Sequence, residues 1–384
     1  MSIIRPFPAI RPKKELAASI AALPYDVYSS REAREIVRRN PFSFLKIDRA
    51  ETLLPEGTDM YSPQVYETAR DTLDEMIHDG SFVQDNMDCY YVYALTMDGR
   101  TQTGLAACAS IDDYRNGVIL QHEKTLEAKE QDRIRHIDTC SAQTGPIFLT
   151  HRPDADLHGI TDRIKRGDTL YDFTSSDGVR HQVWKIENPD DIENISRLYA
   201  GIPHLYIADG HHRAASAVKV GLARRAADPG FCGTEAYNFF LCVLFPSDEL
   251  KIYGYDRVVT DKNRYTFASF LDKIKDDFDI TRIGADPYRP AGKGEFGIYA
   301  DGTWYRAQAH PALLSDDPVS GLDVSILQDH ILGPVLGIRD PKTDQRIRFI
   351  GEIKGADALE HAADSSGGIA FSMYPTSMEE LLRI

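Results

Sequence analysis

The stretch Leu205-Tyr206-Ile207-Ala208-Asp209-Gly210-His211-His212-Arg213-Ala214-Ala215-Ser216-Ala217-Val218-Lys219 passes from strand-favouring to helix-favouring residues across an Asp-Gly turn. The order strand, turn, helix aims backbone N–H groups and the positive end of the helix dipole at one point, which favours an anion there. Gly210 lets backbone approach a ligand closely. Arg213 offers a planar fork to phosphate oxygens, and His211 and His212 add donors or an acid-base group. Asp209 has two readings: its carboxylate caps the helix, or it accepts a proton or holds a metal in a phosphoryl-transfer site. Adjacent histidines do not share a helix face, so a metal held by both is not expected.

Strands and helices alternate on either side of this joint. Ser30 is placed to cap a basic helix over Arg31 to Arg39, ended by Asn40-Pro41. Phe44-Leu45-Lys46-Ile47 reads as a short strand, and Pro63 to Asp79 as an amphipathic helix. Tyr90 to Leu95 and Thr103 to Cys108 form a hairpin around Asp98-Gly99. A polar helix lies between Asp112 and Thr144, and Gly145-Pro146-Ile147-Phe148-Leu149 returns to a buried strand. Further strands are expected at Thr169 to Phe173, His181 to Ile186, Tyr237 to Phe245 and Lys251 to Val259. Helices are expected from near Asp190, over Tyr265 to Phe278, and over Val324 to Leu336 unless Gly333-Pro334 ends the last early. Three parts are expected: an N-terminal α/β part over 1–150, a part over 151–260 holding the Asp-Gly-His-His-Arg turn, and a C-terminal α/β part over 261–384.

At 384 residues, with 42% hydrophobic and 27% charged residues, the chain has the composition of an ordinary globular protein. A net charge of −15 argues against a general binder of nucleic acid or anionic membranes, while leaving room for a local basic pocket. Cys89, Cys108, Cys140, Cys232 and Cys242 are odd in number and scattered, so buried reduced thiols are expected rather than disulfides or a zinc site. The opening residues lack the apolar run of a signal peptide and no segment is long enough to span a bilayer, so a cytoplasmic protein is expected.

Two further clusters are candidates for the site. His122-Glu123-Lys124-Thr125 with Lys129, Asp132 and Arg133 is either a solvated helix with pairs such as Thr125 with Lys129, or a site in which Glu123 is a general base and Lys129 or Arg133 clamps phosphate. Tyr25-Asp26, after Pro24, either forms a structural turn or presents a carboxylate to a cleft.

The motifs Arg5-Pro6-Phe7, Pro24-Tyr25-Asp26-Val27, Asn40-Pro41-Phe42-Ser43-Phe44-Leu45, His122-Glu123-Lys124-Thr125, Gly145-Pro146-Ile147-Phe148, Ala208-Asp209-Gly210-His211-His212-Arg213 and Ala370-Phe371-Ser372-Met373-Tyr374-Pro375-Thr376 resemble those of domain-of-unknown-function family 1015. The Asp-Gly-His-His-Arg turn also resembles the phosphate-binding turn of the superfamily of ParB, sulfiredoxin and free serine kinases. This second resemblance implies an α+β fold, a ParB/sulfiredoxin-like core with a mixed sheet and surrounding helices, elaborated by additional α/β elements. It implies a nucleotide, ATP or ADP, with magnesium as cofactors. His211 stands where sulfiredoxin has a cysteine, which disfavours that chemistry. Members of the resembled family continue past Leu381-Leu382 into a basic tail, whereas the sequence given stops at Ile384.

The expected activity is that of a nucleotide-dependent phosphotransferase on a small hydroxylated, serine-like metabolite. Gly210, His211, His212 and Arg213 would hold the phosphates, and Glu123, Asp209 and His212 would carry the chemistry, with Asp209 as the magnesium ligand. Tyr25, Asp26, His122 and Thr125 are further cleft candidates, and homo-oligomerisation is left open. The alternatives are a non-catalytic nucleotide sensor and, more weakly, a ParB-like nuclease.

Overall fold

The computed structural model describes residues 1–122, Thr125 and residues 127–383. The chain is α+β and divides into two compact units, Met1–Leu250 and Lys251–Ile384. The expected boundary at 150 falls inside a strand of the first unit, and the one at 260 lies ten residues beyond the observed division.

The strands of the first unit are β1 (Ile4–Arg5), β2 (Ile10–Pro12), β3 (Phe82–Gln84), β4 (Tyr90–Met97), β5 (Arg100–Ser110), β6 (Ile119–Leu120), β7 (Ile147–His151), β8 (Tyr171–Thr174), β9 (Arg180–Ile186), β10 (Leu205–Asp209) and β11 (Phe239–Pro246). Among the described residues they form a nine-stranded mixed sheet in the order β6-β10-β7-β11-β5-β4-β9-β8, with β1 also on β5, while β2 and β3 pair separately. The expected hairpin is β4-β5. Asp98 and Gly99 both take positive φ, 50° and 77°, the two-residue turn whose twist suits antiparallel strands and which Asp-Gly tolerates.

Alternation along the strands divides the sheet into two faces. Val92, Leu105, Ala107, Cys242, Leu244, Ile147 and Leu149 point into the main core with Leu157, Ile195 and Tyr199 from two helices, Ala155–Ile164 and Pro189–Gly201. Tyr93, Phe148, Val243 and Phe245 have the opposite parity and meet the helix His211–Ala227 through Ala217 around a cavity.

Several sequence readings change. Phe44 to Ile47 is not a strand: Leu45–Asp48 is a helical turn, with the Arg49 N–H donating to the Leu45 carbonyl at 2.7 Å. A run this short carries no period of its own, and Leu45 and Ile47 are buried as a turn beside the helix Pro63–His78. The cap of the helix Ser30–Arg39 is Ser29, in a reciprocal capping box with Glu32. Cys89, Cys140 and Cys242 are buried and all five thiols are free, but Cys232 is exposed.

The second unit is built on a six-stranded sheet of β12 (Tyr255–Val259), β13 (Phe278–Gly284), β14 (Glu295–Ala300), β15 (Thr303–Ala309), β16 (Ile347–Gly351) and β17 (Ile369–Met373), ordered β13-β15-β14-β17-β12-β16. The helix expected to reach Phe278 covers only Phe267–Ile274, and Phe278 opens β13 instead. The helix expected over Val324 to Leu336 runs over Asp323–Leu327 and then widens, the Gly333 N–H bonding the Gln328 carbonyl five residues back at 2.9 Å. Pro334 has no N–H to continue the ordinary ladder.

Asp323 is 7% exposed. Its Oδ1 accepts the Gly294 N–H at 2.9 Å, and Oδ2 has no partner among the described residues. Burial pushes its pKa up to about 6. The folded state therefore holds this proton above the unfolded value near 3.8, so ionisation above pH 6 costs about 2 to 3 kcal/mol, and that cost is relieved as pH falls. Asp323→Asn is expected to raise stability at pH 8 and to flatten the pH dependence between pH 8 and 5. Urea unfolding at both pH values is the check, and an unchanged slope would contradict the assignment.

Candidate functional site

The joint at residues 205–213 forms as the sequence indicates. β10 ends at Asp209, Gly210 has φ +91°, and the helix His211–Ala227 begins at once. The register of β10 against β7 shifts between Ile207 and Asp209, a bulge that re-aims the strand end. Ala214 is the first residue whose N–H the helix itself satisfies, with the Gly210 carbonyl at 2.9 Å.

Asp209 does not cap the helix, since Gly210 occupies the cap with no side-chain bond there. Its carboxylate instead accepts from Arg213 Nη2 at 2.5 Å, and Arg213 Nη1 donates to the Pro146 carbonyl at 2.5 Å. The guanidinium folds back across Gly210: a Cβ there would lie 3.1 Å from Arg213 Nε and Nη2. Glycine is required here by its φ, and a Cβ would in addition push the arginine back by a few tenths of an ångström. The Asp209 side chain is 67% exposed, so water screens the pair and its net contribution to stability is small.

Arg213 and Asp209 open on a cavity of about 380 Å³. Its polar wall adds Tyr25, Asp48, Arg133, His136 and Thr144, and its floor is Tyr93, Phe148, Val243 and Phe245 of the sheet. Arg133 lies buried in the helix Glu127–Cys140, with Nη2 2.8 Å from Asp132 and its guanidinium 4.1 Å from the centre of the Tyr25 ring. Burial works against its charge, but Asp132, Tyr25 and Asp48 outweigh it and hold its pKa above the ordinary arginine value. Tyr25 is kept in place by buried Arg49, which donates to the Tyr25 and Tyr28 carbonyls at 3.0 and 2.7 Å and pairs with Glu51 at 2.7 Å. Burial raises the Tyr25 pKa.

His136 is 3% exposed, and its Nε2 lies 3.1 Å from the Ile47 carbonyl. A carbonyl only accepts, so this nitrogen carries the proton and Nδ1 is left as the basic one. Burial, and then the charge of Arg133, lower its pKa, so the ring is neutral. Thr144 donates to Asp48 at 2.6 Å.

The other expected residues lie elsewhere. Asp26 is exposed and off the cavity wall, because the turn Tyr25–Val27 sends only Tyr25 inward. Lys129 is exposed on its helix and does not line the cavity either. Thr125 precedes the helix Glu127–Cys140 and donates to Glu130, which also pairs with Lys219; the expected pair with Lys129 is therefore replaced. His122 and His211 meet edge to face at 4.5 Å; neither borders the cavity, nor do His212 and Gly210. Glu123 lies outside the described residues. Among the described residues, no group of three or more His, Cys, Asp or Glu side chains is placed to hold a metal ion, and no helix is long and apolar enough to cross a membrane.

Sequence reasoning missed Asp48, His136 and Thr144. The polar helix, for which a solvated face was one of two readings, buries Glu130, Arg133, His136 and Cys140, a stripe at spacings of three and four. That periodicity of polar residues was the available signal.

A family model described as a protein of unknown function (DUF1015) matches residues 4–325. The chain belongs to this family. No curated protein matches it. Among solved structures, a conserved hypothetical protein from Pyrococcus furiosus is similar at 13% identity, covering 72% of this chain and 83% of that one with a TM-score of 0.32. A free serine kinase in complex with AMP is similar at 14% identity, covering 72% and 80% with a TM-score of 0.33. Both likenesses are too distant to carry an argument about activity in this DUF1015 protein.

Proposed function

We propose that the first unit is a nucleotide-dependent phosphotransferase acting on a small hydroxylated metabolite, with the phosphates bound in the cavity beside the Asp209–Arg213 turn. The observation that carries this reading is that two guanidinium groups, Arg133 and Arg213, open on one cavity of about 380 Å³ at a strand-to-helix joint. Arginine forks match phosphate oxygens, and their charge is worth more in a partly desolvated site than in water.

In this reading the acceptor hydroxyl oxygen attacks the terminal phosphorus, and the bond from that phosphorus to the leaving nucleotide breaks, releasing ADP from ATP or AMP from ADP. The hydroxyl proton passes to His136 Nδ1, whose partner nitrogen already carries a proton. Arg133 and Arg213 neutralise charge on the transferred group, and Arg213 would exchange its bond to Asp209 for one to phosphate. The carboxylates of Asp48 and Asp209 suit magnesium, which typically takes one or two carboxylates together with substrate phosphates and water. When bound, it would neutralise phosphate charge.

A sensing role is the second reading, favoured by the Asp209–Arg213 pair that occupies the fork. ATP or ADP with magnesium at about 100 times its dissociation constant is expected to stabilise the protein by about 2.7 kcal/mol. His136→Gln is expected to keep that binding and to lose at least about 100-fold in turnover. Because the His136 pKa is lowered, turnover in the wild type is expected to stay level from pH 8 to below 6.5 and then to fall as the ring gains a proton. Nucleotide binding with no turnover against a panel of hydroxylated metabolites would leave the sensor. Absence of any nucleotide-induced stabilisation would remove both readings.

A further inference from the structure

The second unit holds a separate cavity of about 610 Å³. In β12, Tyr255, Arg257 and Val259 share one face, and Arg257 sits opposite Phe349 of β16. At one end of this face Val259 and Ile347 are buried with Ile326, Leu327 and Ile331. At the other end the apolar cover stops and Arg257 takes its place. The Tyr255 and Phe349 rings stack at 5.4 Å and 14°, and the Arg257 guanidinium lies 5.4 Å from the Phe349 ring centre and 5.9 Å from that of Tyr255. Gln328, Leu332 and Lys342 line the cavity with Arg257 and Phe349, and Tyr255 backs the Phe349 ring.

Arg257 is half-buried and has no carboxylate partner among the described residues. Its Nη1 donates to the Tyr255 carbonyl, and Nε and Nη2 have no hydrogen-bond partner among the described residues. The neighbouring Asp256 points to the opposite face, where it accepts from Arg289 at 2.5 Å and from the Met373 N–H at 2.9 Å. Loss of water around Arg257 lowers its pKa to about 10. A guanidinium in such a place is costly unless an anion meets it. Asp317 and Asp329 also border the cavity and balance the charges of Arg257 and Lys342, so a multiply charged anion gains little. The fork fits a carboxylate edge-on, and the Phe349 ring, backed by Tyr255, offers a flat apolar surface.

We propose that this cavity binds a small monocarboxylate with a planar, apolar body, its carboxylate on Arg257 and its flat part against Phe349. The proposal is independent of the reading of the first unit. The test is titration of benzoate into the full-length protein by calorimetry, alongside benzamide and inorganic phosphate. Benzoate is expected to bind, and benzamide and phosphate at least tenfold more weakly. Arg257→Met is expected to cost benzoate at least tenfold, and Phe349→Leu several-fold. Arg257→Lys keeps the charge and covers the case in which the methionine variant does not fold, and it too is expected to lose affinity because the fork is gone. Arg213→Met, in the first unit, is expected to leave benzoate binding unchanged. No benzoate binding, wild-type affinity in both Arg257 variants, phosphate binding as tightly as benzoate, or loss of benzoate binding in Arg213→Met would each overturn the proposal.

Discussion

Gly221→Ala is expected to lower the stability of the first unit by about 2 to 3 kcal/mol, although glycine to alanine within a helix ordinarily gains up to about 1 kcal/mol. Gly221 faces the turn Ala236–Asn238, which feeds β11. A Cβ there would lie 2.3 Å from the Tyr237 carbonyl oxygen and 2.9 Å from Ile111 Cδ1. The isoleucine tip can rotate away. The carbonyl belongs to backbone and cannot, so the helix His211–Ala227 would have to move off the sheet, carrying Arg213 with it. Gly159, in the helix Ala155–Ile164, supplies the opposite case, since nothing lies within 4 Å of its would-be Cβ. Gly159→Ala is expected to stabilise by about 0.5 to 1 kcal/mol. Denaturant midpoints of the two variants should move in opposite directions. A gain for Gly221→Ala would mean that the packing of this helix on the turn is looser than described.

The second large effect is expected at Arg133. Arg133→Met keeps much of the side-chain volume, but it removes the charge that faces Asp132 and the guanidinium over Tyr25. Leaving a buried carboxylate without its cation typically costs about 3 kcal/mol. Here the Tyr66 hydroxyl also donates to Asp132, at 2.9 Å, so the expected loss is smaller, about 2 kcal/mol. The effect on ligand binding should be larger. A 100-fold loss of nucleotide affinity reduces the stabilisation seen at 100 times the wild-type dissociation constant from about 2.7 to about 0.4 kcal/mol. Arg133→Lys keeps a charge for Asp132 without the fork, so it should recover most of the stability and little of the binding. If both variants bind nucleotide as the wild type does, Arg133 is structural and the cavity is not the phosphate site.

The Asp209–Arg213 turn keeps the local form expected of it and differs in its internal chemistry. Asp209 and Arg213 are four residues apart, but Asp209 ends β10 and Gly210 turns the chain before the helix begins, so their ion pair is set by the turn and not by helical spacing. That Arg213 also reaches the Pro146 carbonyl was not legible in the sequence, because the two positions are 67 residues apart. The expectation that Glu123, Lys129 and Arg133 act together divided for a similar reason. Arg133 and His136 are three apart and share the buried side of their helix, whereas Lys129 falls on the exposed side. A polar composition identifies a helix without saying which stripe of it faces inward.

The sequence alone determined what short-range physics controls. The Asp98-Gly99 hairpin, the start of the helix after Gly210, and the capping serine of the helix Ser30–Arg39, to within one residue, all follow from backbone sterics and hydrogen bonds acting over two to four positions. Only the tertiary structure decided the site. Tyr25, Asp48, Arg133, His136, Thr144 and Arg213 come from five segments and meet because the apolar strands β7 and β11 bury one face in the core and turn Phe148, Val243 and Phe245 to the other. Which polar groups then collect over that second face is settled by how the helices pack, and no local preference carries that information.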